Sequence, residues 1–336
     1  VNEDAVATIS DVAALAGVST ATVSRALNGK STVDPALAER VARAVAELGY
    51  TPNGLARSLR RRETAVLALI ISDVENPFFT AIARGVEDTA QVAGFSVMLC
   101  NSDENTAKER RYVEVAARER RAGVIMTPTT GESDVRPLLA HGTPIVTVDR
   151  RLETADCDAV LADSRVAARD AVRHLVDRGY ERIACVAGPP GTTTADDRLD
   201  GYRDGLRAAG RTFSANLVRR CEFRATGGYE AAKQLLTEAD APDALVVSSG
   251  TMAIGVLQAM AELGLRSGRD VGIVSFDDAP WTTLISPSLT VVAQPAHAMG
   301  QLAARLLLNR IGTSATHATT TTTMAAQLIV RGSSTR

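Results

Sequence analysis

Aromatic residues are scarce in this 336-residue chain: one Trp, five Tyr and six Phe make up only 4% of it. A core so poor in rings has to be closed by aliphatic side chains and alanine, which suits helices packed on sheets through small residues. Cysteine and histidine are as sparse. Cys100, Cys157, Cys185 and Cys221 stand far apart, with no Cys-x-x-Cys pair and no His at ligand spacing, so they read as reduced core residues rather than a metal site or a disulfide framework. His141, His174, His297 and His317 are scattered, and no Ser-His-Asp, His-Glu-x-x-His or strand-linked Gly-x-Gly-x-x-Gly pattern appears. In Gly188-Pro-Pro-Gly191 two prolines remove the N–H donors that a phosphate-binding loop needs. These absences argue against an enzyme, a metal site or a cofactor. No apolar run approaches the roughly 20 residues that cross a bilayer, and Val1-Asn2-Glu3-Asp4 lacks the basic-then-apolar order of a secretion signal. The expectation is a cytoplasmic protein with no membrane partner.

What the chain has is length, apolar content and an uneven charge. With 45% hydrophobic residues it can bury more than one core. The formal net charge is only -2, yet positions 1–62 hold eight bases against six acids and end in Arg60-Arg61-Arg62, where phosphates can be met. Upstream, Thr8 and Asp11 form a capping-box pattern for a helix with Val12, Leu15 and Ala16 on one face, and Gly17 stops it. Val18-Ser19 is a tight turn. Ser19 then caps a second helix from Thr20 to about Leu27, with Val23, Ala26 and Leu27 inward. Its outward face carries Thr20, Ala21, Thr22, Ser24 and Arg25, small and polar side chains that let a helix enter the major groove, where Arg25 can fork onto a guanine edge. Asp34-Pro35 opens a third helix with Leu37, Val41, Val45 and Leu48 inward. Two short helices about a three-residue turn predict a helix-turn-helix. After Tyr50-Thr-Pro52, the segment Asn53-Gly-Leu-Ala-Arg-Ser-Leu-Arg60 has room for about two turns of helix, which alone is marginal in water.

From Thr64 on, short β-branched runs alternate with helical stretches, the pattern of parallel sheets with crossover helices. Candidate strands are Val66–Ile71, Phe95–Leu99, Gly123–Met126, Ile145–Val148, Arg182–Val186, Ala244–Val247 and Val271–Phe276. Such folds bind ligands beyond the carboxyl ends of the strands. The residues there include Asn76, Phe78, Phe79, Asn101-Ser-Asp103, Thr127, Asp149, Arg150, the stretch from Gly188 to Arg198, Ser248-Ser-Gly250, Asp277, Trp281 and Gln294. Carboxylates and amides suit vicinal hydroxyls, a guanidinium forks across two of them, and Phe or Trp covers the C–H face of a sugar ring.

Ser10-Asp-Val-Ala-Ala-Leu-Ala-Gly-Val-Ser-Thr-Ala-Thr-Val-Ser-Arg-Ala-Leu-Asn28, Leu48-Gly-Tyr-Thr-Pro-Asn53 and Ala56-Arg-Ser-Leu59 closely resemble the headpiece of the lactose-repressor/galactose-repressor (LacI/GalR) family. The resemblance continues through Glu75-Asn-Pro-Phe-Phe79, Asp196-Asp-Arg-Leu-Asp-Gly-Tyr202, Met252-Ala-Ile-Gly255, Ser275-Phe-Asp-Asp278 and Pro287-Ser-Leu-Thr290, nearly the whole chain. It implies a small all-α headpiece over 1–51 and a hinge helix and linker over 52–63. It implies further an α/β sensor over 64–336, two doubly wound parallel-sheet lobes like those of periplasmic sugar-binding proteins. The N-lobe would span about 64–163 and 293–322, and the C-lobe about 164–292 and 323–336.

By that resemblance Thr20, Ala21 and Arg25 read bases, and the segment containing Asn53 is a hinge helix that folds on DNA. Leu59 is its minor-groove wedge, with Arg57 and Arg60 on neighbouring phosphates. Asn76, Phe78, Phe79, Asp149, Arg150, Arg198, Asp277 and Gln294 become effector contacts, in an arrangement most like ribose-type pockets, so a pentose or other small monosaccharide, or its phosphate, leads. Two departures bear on the ligand: Ser249-Gly250 stands where the family shows an Asn-Asp pair, and Thr127 replaces an amide. The implied protein is a homodimeric, DNA-binding transcriptional repressor on a near-palindromic operator, nucleoid-associated when bound there. No apolar heptad follows Gln327–Val330, against a coiled-coil tetramer, and Thr319–Thr323 reads as a connector or late strand. A corepressor-dependent regulator and a sugar-binding transport protein stay open as alternatives.

Overall fold

A computed structural model describes residues 7–27, 33–50, 64–311 and 318–335, and the chain divides into two compact units, up to Thr64 and from Ala65 on. In the first, helices α1 (Ile9–Ala16), α2 (Thr20–Leu27) and α3 (Pro35–Glu47) enclose Val12, Ala13, Ala16, Val23, Val41 and Ala44. The capping box forms in both directions, Thr8 N–H to Asp11 Oδ2 at 2.8 Å and Asp11 N–H to Thr8 Oγ1 at 3.4 Å, and such a cap is worth about 1 kcal/mol. Gly17 takes φ +61°, and Arg40 of α3 donates to the Ala16 carbonyl at 2.6 Å, so α3 holds the end of α1. Leu15 departs from the sequence reading. It is exposed, and Ala13 takes its place inside, because helices of two turns approach closely only through small side chains.

The second unit holds two six-stranded sheets. The first runs β11 (Thr321–Met324), β5 (Asp158–Ala162), β4 (Ile145–Val148), β3 (Arg121–Met126), β1 (Thr64–Ile71) and β2 (Ser96–Asn101), all parallel. The second runs β12 (Gln327–Ile329), β10 (Thr290–Ala293), β9 (Gly272–Phe276), β8 (Ala244–Val247), β6 (Ile183–Ala187) and β7 (Val218–Arg220), parallel except for β12 against β10. Their central strands are mostly apolar and buried, Thr147 and Ser275 among the buried exceptions, because helices cover both faces. The chain passes between the lobes at 163, 294–295 and 325–326. Ala293 thus stays in the second sheet and Thr323 in the first, displacing two of the boundaries read from the sequence by a few residues.

Helix pairs flank the sheets: α4 (Pro77–Val92) with α11 (Ala296–Arg310), α7 (Ser164–Asp177) with α8 (Thr193–Ala208), and α9 (Ala225–Leu236) with α10 (Gly250–Glu262). Their backbones nearly touch. A Cβ on Gly85 would lie 2.1 Å from the His297 carbonyl oxygen, and one on Gly300 at 2.1 Å from that of Ile82. Alanine-rich faces and glycine contacts thus bring the helices close together, as a chain poor in rings requires.

Candidate functional site

In the headpiece Val23 anchors α2 in the core, and Ser19 caps it by accepting from Thr22 N–H at 3.1 Å. This turns Thr20, Ala21 and Arg25 outward, with Thr22 and Ser24 half-buried on the flanks. Arg25 Nε–H donates to the Ala21 carbonyl at 3.3 Å, which steadies the guanidinium along the helix. Asn53, Arg57, Leu59 and Arg60 lie outside the described residues.

In the sensor both sheets reverse their winding order, β1 with β2 and β3 on either side, β6 with β7 and β8. The crevice beyond these strand ends is where a doubly wound sheet can take a ligand. A cleft there is lined by Asn76, Phe78, Phe79, Asp149, Arg150, Arg198, Ser249, Asp277 and Gln294, nine of the eleven effector residues read from the sequence. The space among these residues, part of it open to solvent, is about 330 Å³. Its walls sit close, and a monosaccharide enters only as side chains yield or the lobes part.

Each wall residue is held by its backbone. Asp149 at the end of β4 and Asp277 at the end of β9 adopt φ +69° and +72°, costly for a carboxylate residue and typical of functional sites. Asn76 caps α4, accepting from Phe78 N–H at 3.0 Å, and the Phe78 and Phe79 rings meet edge to face at 5.2 Å. Buried Arg198 donates to the Ser248 carbonyl at 2.7 Å, Gln294 Oε1 at 3.3 Å and Ser164 Oγ at 3.3 Å, and lies 4.2 Å over the Phe276 ring. Asp277 Oδ1 accepts from Gln294 Nε2 at 2.8 Å, while its Oδ2 accepts from Gly250 N–H at 3.1 Å. Ser249 Oγ accepts from Thr251 N–H at 3.3 Å. The missing acid of the Ser249-Gly250 departure is therefore made good: Asp277 and Ser249 together cap α10.

Arg150 is the most enclosed cation. Its Nη1 and Nη2 donate to Glu104 at 2.8 and 2.6 Å, Nη1 also reaches the Pro128 carbonyl at 3.2 Å, and it lies 5.9 Å from the Phe79 ring centroid and 5.5 Å from that of Phe223. Arg150 Nε and Asp149 Oδ1 are buried with no hydrogen-bond partner. Nε stands 3.7 Å from the other oxygen of Asp149, an ion pair too long for a hydrogen bond, and a buried donor and acceptor left without hydrogen bonds are costly unless something else binds them. Across the cleft, Arg224 of the second lobe pairs with Asp73 at 3.2 Å and with Asp103, and Arg151 of the first lobe pairs with Asp197 at 2.7 Å.

Burial pushes the Asp149 carboxyl up to about 6, against the pull of Arg198 and Arg150. The folded value lies above the unfolded one, so the ionised group opposes folding above pH 6, and this penalty disappears as pH falls toward 3.8. A ligand that donates a hydroxyl to Asp149 needs the ionised form. Its affinity should hold from pH 8 to 7 and fall below pH 6 by up to about tenfold per unit. Calorimetric titration across that range checks this, and a flat profile would remove Asp149 as an acceptor.

Thr127 and Trp281 do not line the cleft. Thr127 is fully buried behind it, and Trp281 lies half-buried in the 3-10 turn Pro280–Thr283, against the second lobe's core. Four lining residues were missed: Asp73, Glu104, Thr194 and Phe223. Three lie in or beside stretches already singled out: Asp73 three residues before Asn76, Glu104 next to Asp103, and Thr194 between Gly188 and Arg198. Phe223 follows β7, whose Val-Arg-Arg carries no strand signal. Among the described residues no group of His, Cys, Asp or Glu is placed to hold a metal, and no helix is long and apolar enough to cross a membrane.

Residues 8–53 match the model of bacterial regulatory proteins, lacI family, and residues 172–334 match a periplasmic binding protein-like domain. The ribose operon repressor of Escherichia coli is 34% identical over 91% of this chain and 93% of its own length. The chain belongs to the LacI family of bacterial regulatory proteins. Among solved structures of LacI-type regulators, the lac repressor dimer bound to operator and the anti-inducer ONPF superposes with a TM-score of 0.86 at 27% identity, over 98% of this chain and 99% of that one. A transcriptional regulator CelR–cellobiose complex matches at 0.75 and 32%, over 97% and 99%. The curated LacI-family relatives are repressors rather than enzymes.

Proposed function

We propose that this protein represses transcription by gripping a near-palindromic operator through its helix-turn-helix headpieces as a homodimer, and that a small monosaccharide, a pentose of the ribose kind, sets that grip from the cleft. Asp149 Oδ1 and Arg150 Nε, neighbouring groups neither of which is hydrogen-bonded, carry the reading. Adjacent hydroxyls on a sugar ring supply one donor and one acceptor to match them, while Phe78, Phe79 and Phe223 offer apolar faces and Arg198 a second positive charge. Relatives named ribose operon repressor support the sugar class. In operator binding followed by fluorescence anisotropy at fixed salt, one pentose should weaken binding tenfold or more, about 1.4 kcal/mol of coupling. A pentose that tightens binding would reverse the sign, and indifference to every sugar would end the reading.

At the headpiece, Arg25→Ala should cost about 1–3 kcal/mol in operator binding and relax preference at one base pair, because a bidentate contact to a guanine edge is lost. Anisotropy on operators substituted one pair at a time checks this. Uniform weakening across all sequences would make Arg25 a phosphate contact instead.

A further inference from the structure

The cleft is a poor host for an anion. Four carboxylates, Asp73, Glu104, Asp149 and Asp277, line it against two guanidiniums, Arg150 and Arg198. Arg198 feels both Asp149 and Asp277. Arg224 at the rim is held by Asp73 and Asp103. Arg150, by its position the natural fork for a phosphate or carboxylate, has both terminal nitrogens on Glu104. The backbone is committed to this arrangement: Asp103 and Glu104 are consecutive non-glycine residues at φ +59° and +54°, with Glu104 N–H on the Ser72 carbonyl at 2.9 Å. Two successive left-handed residues are strained, and strain of this kind persists where the surroundings over-determine it.

We propose that Glu104 is a specificity-determining residue, which occupies the anion-binding fork of Arg150 and so bars phosphorylated and acidic sugars while admitting the neutral sugar. The inference rests on the sugar reading and names the charge class of the ligand. Glu104 takes one N–H of each terminal nitrogen and the Pro128 carbonyl takes the second on Nη1, so the two-pronged edge of Arg150 is filled and only Nε and one N–H of Nη2 remain, separate donors suited to hydroxyl oxygens. A phosphate brought there meets the Glu104 carboxylate first, in a partly water-excluded space where like charges repel strongly.

The test uses the full chain, titrated calorimetrically with ribose and other neutral pentoses, their phosphate esters and their aldonic acids, as wild type and as Glu104→Gln, which keeps shape and removes charge. The wild type should bind its best neutral sugar at least 100-fold more tightly than that sugar's phosphate, and in Glu104→Gln the ratio should narrow to tenfold or less. A wild-type ratio within tenfold, or an unchanged ratio in the variant, overturns the proposal. Should no neutral sugar bind, the sugar reading fails by itself, and charge exclusion is then read from inorganic phosphate. At constant ionic strength, phosphate should raise the melting temperature of Glu104→Gln saturably and leave the wild type unmoved. An equal response in both proteins refutes the role of Glu104.

Discussion

Arg198→Ala should abolish the effector response, with effector binding weakened 100-fold or more and operator affinity no longer changed by the sugar. Arg198 is buried within electrostatic reach of the Asp149 and Asp277 carboxylates, and its guanidinium also ties the Ser248 carbonyl and the Gln294 amide of the cleft wall. Removing one partner from a buried charged group typically costs about 3–5 kcal/mol, because the charge left behind has neither water nor a counterion. Part of that falls on folding and part on ligand binding, since Asp149, already raised by burial, would lose one of the two cations, Arg198 and Arg150, that hold it ionised. Calorimetry and operator anisotropy on the variant read the two effects separately. Arg198→Lys should recover little of the binding, as one ammonium cannot span three acceptors on different strands and loops. Effector binding within tenfold of wild type in Arg198→Ala would mean that the ligand does not reach this wall.

Gly255→Ala should lower the thermal stability of the sensor by about 5 °C or more, with a cost of roughly 3 kcal/mol or greater. A Cβ at Gly255 would lie 1.8 Å from the Ala225 carbonyl oxygen and 2.6 Å from the Tyr229 amide nitrogen, backbone atoms of α9 that cannot rotate away. The reciprocal contact, Gly228 against the Met252 carbonyl at 2.1 Å, lies on the same pair. To accept one methyl group, α10 must lift off α9, and with it Met252, Val256 and Met260 lift from the core of the second lobe. Differential scanning calorimetry on the purified chain measures the shift. A change under 2 °C would show that the helices are farther apart than this geometry has them.

Much of the site was legible because doubly wound sheets place ligands at strand ends, and strand ends follow from apolar runs bounded by polar residues. Asp149, Arg150 and Asp277 immediately follow such runs, and Asn76 with Phe78 and Phe79 lies a few residues beyond β1. Strands β5 and β10 were not among the candidate strands, although each carries a short apolar run, Ala159–Ala162 and Val291–Ala293. Thr127 and Trp281 were assigned to the cleft by the same strand-end rule. It cannot tell which way a side chain turns after the strand, and both turn into protein.

The sequence by itself determined the two-part organisation, the helix-turn-helix and the parallel α/β class, because capping residues and hydrophobic periodicity are local and act wherever the chain runs. It also determined which side chains could carry chemistry. Only the tertiary structure decided what each charge would meet. Glu104 and Arg150 are 46 residues apart and Asp73 and Arg224 are 151 apart, and no local pattern encodes such pairs. Desolvation forces them together: a guanidinium taken into a nearly dry cleft has to find a carboxylate. The one it finds decides whether that cleft has a fork for an anion or only separate donors for hydroxyls.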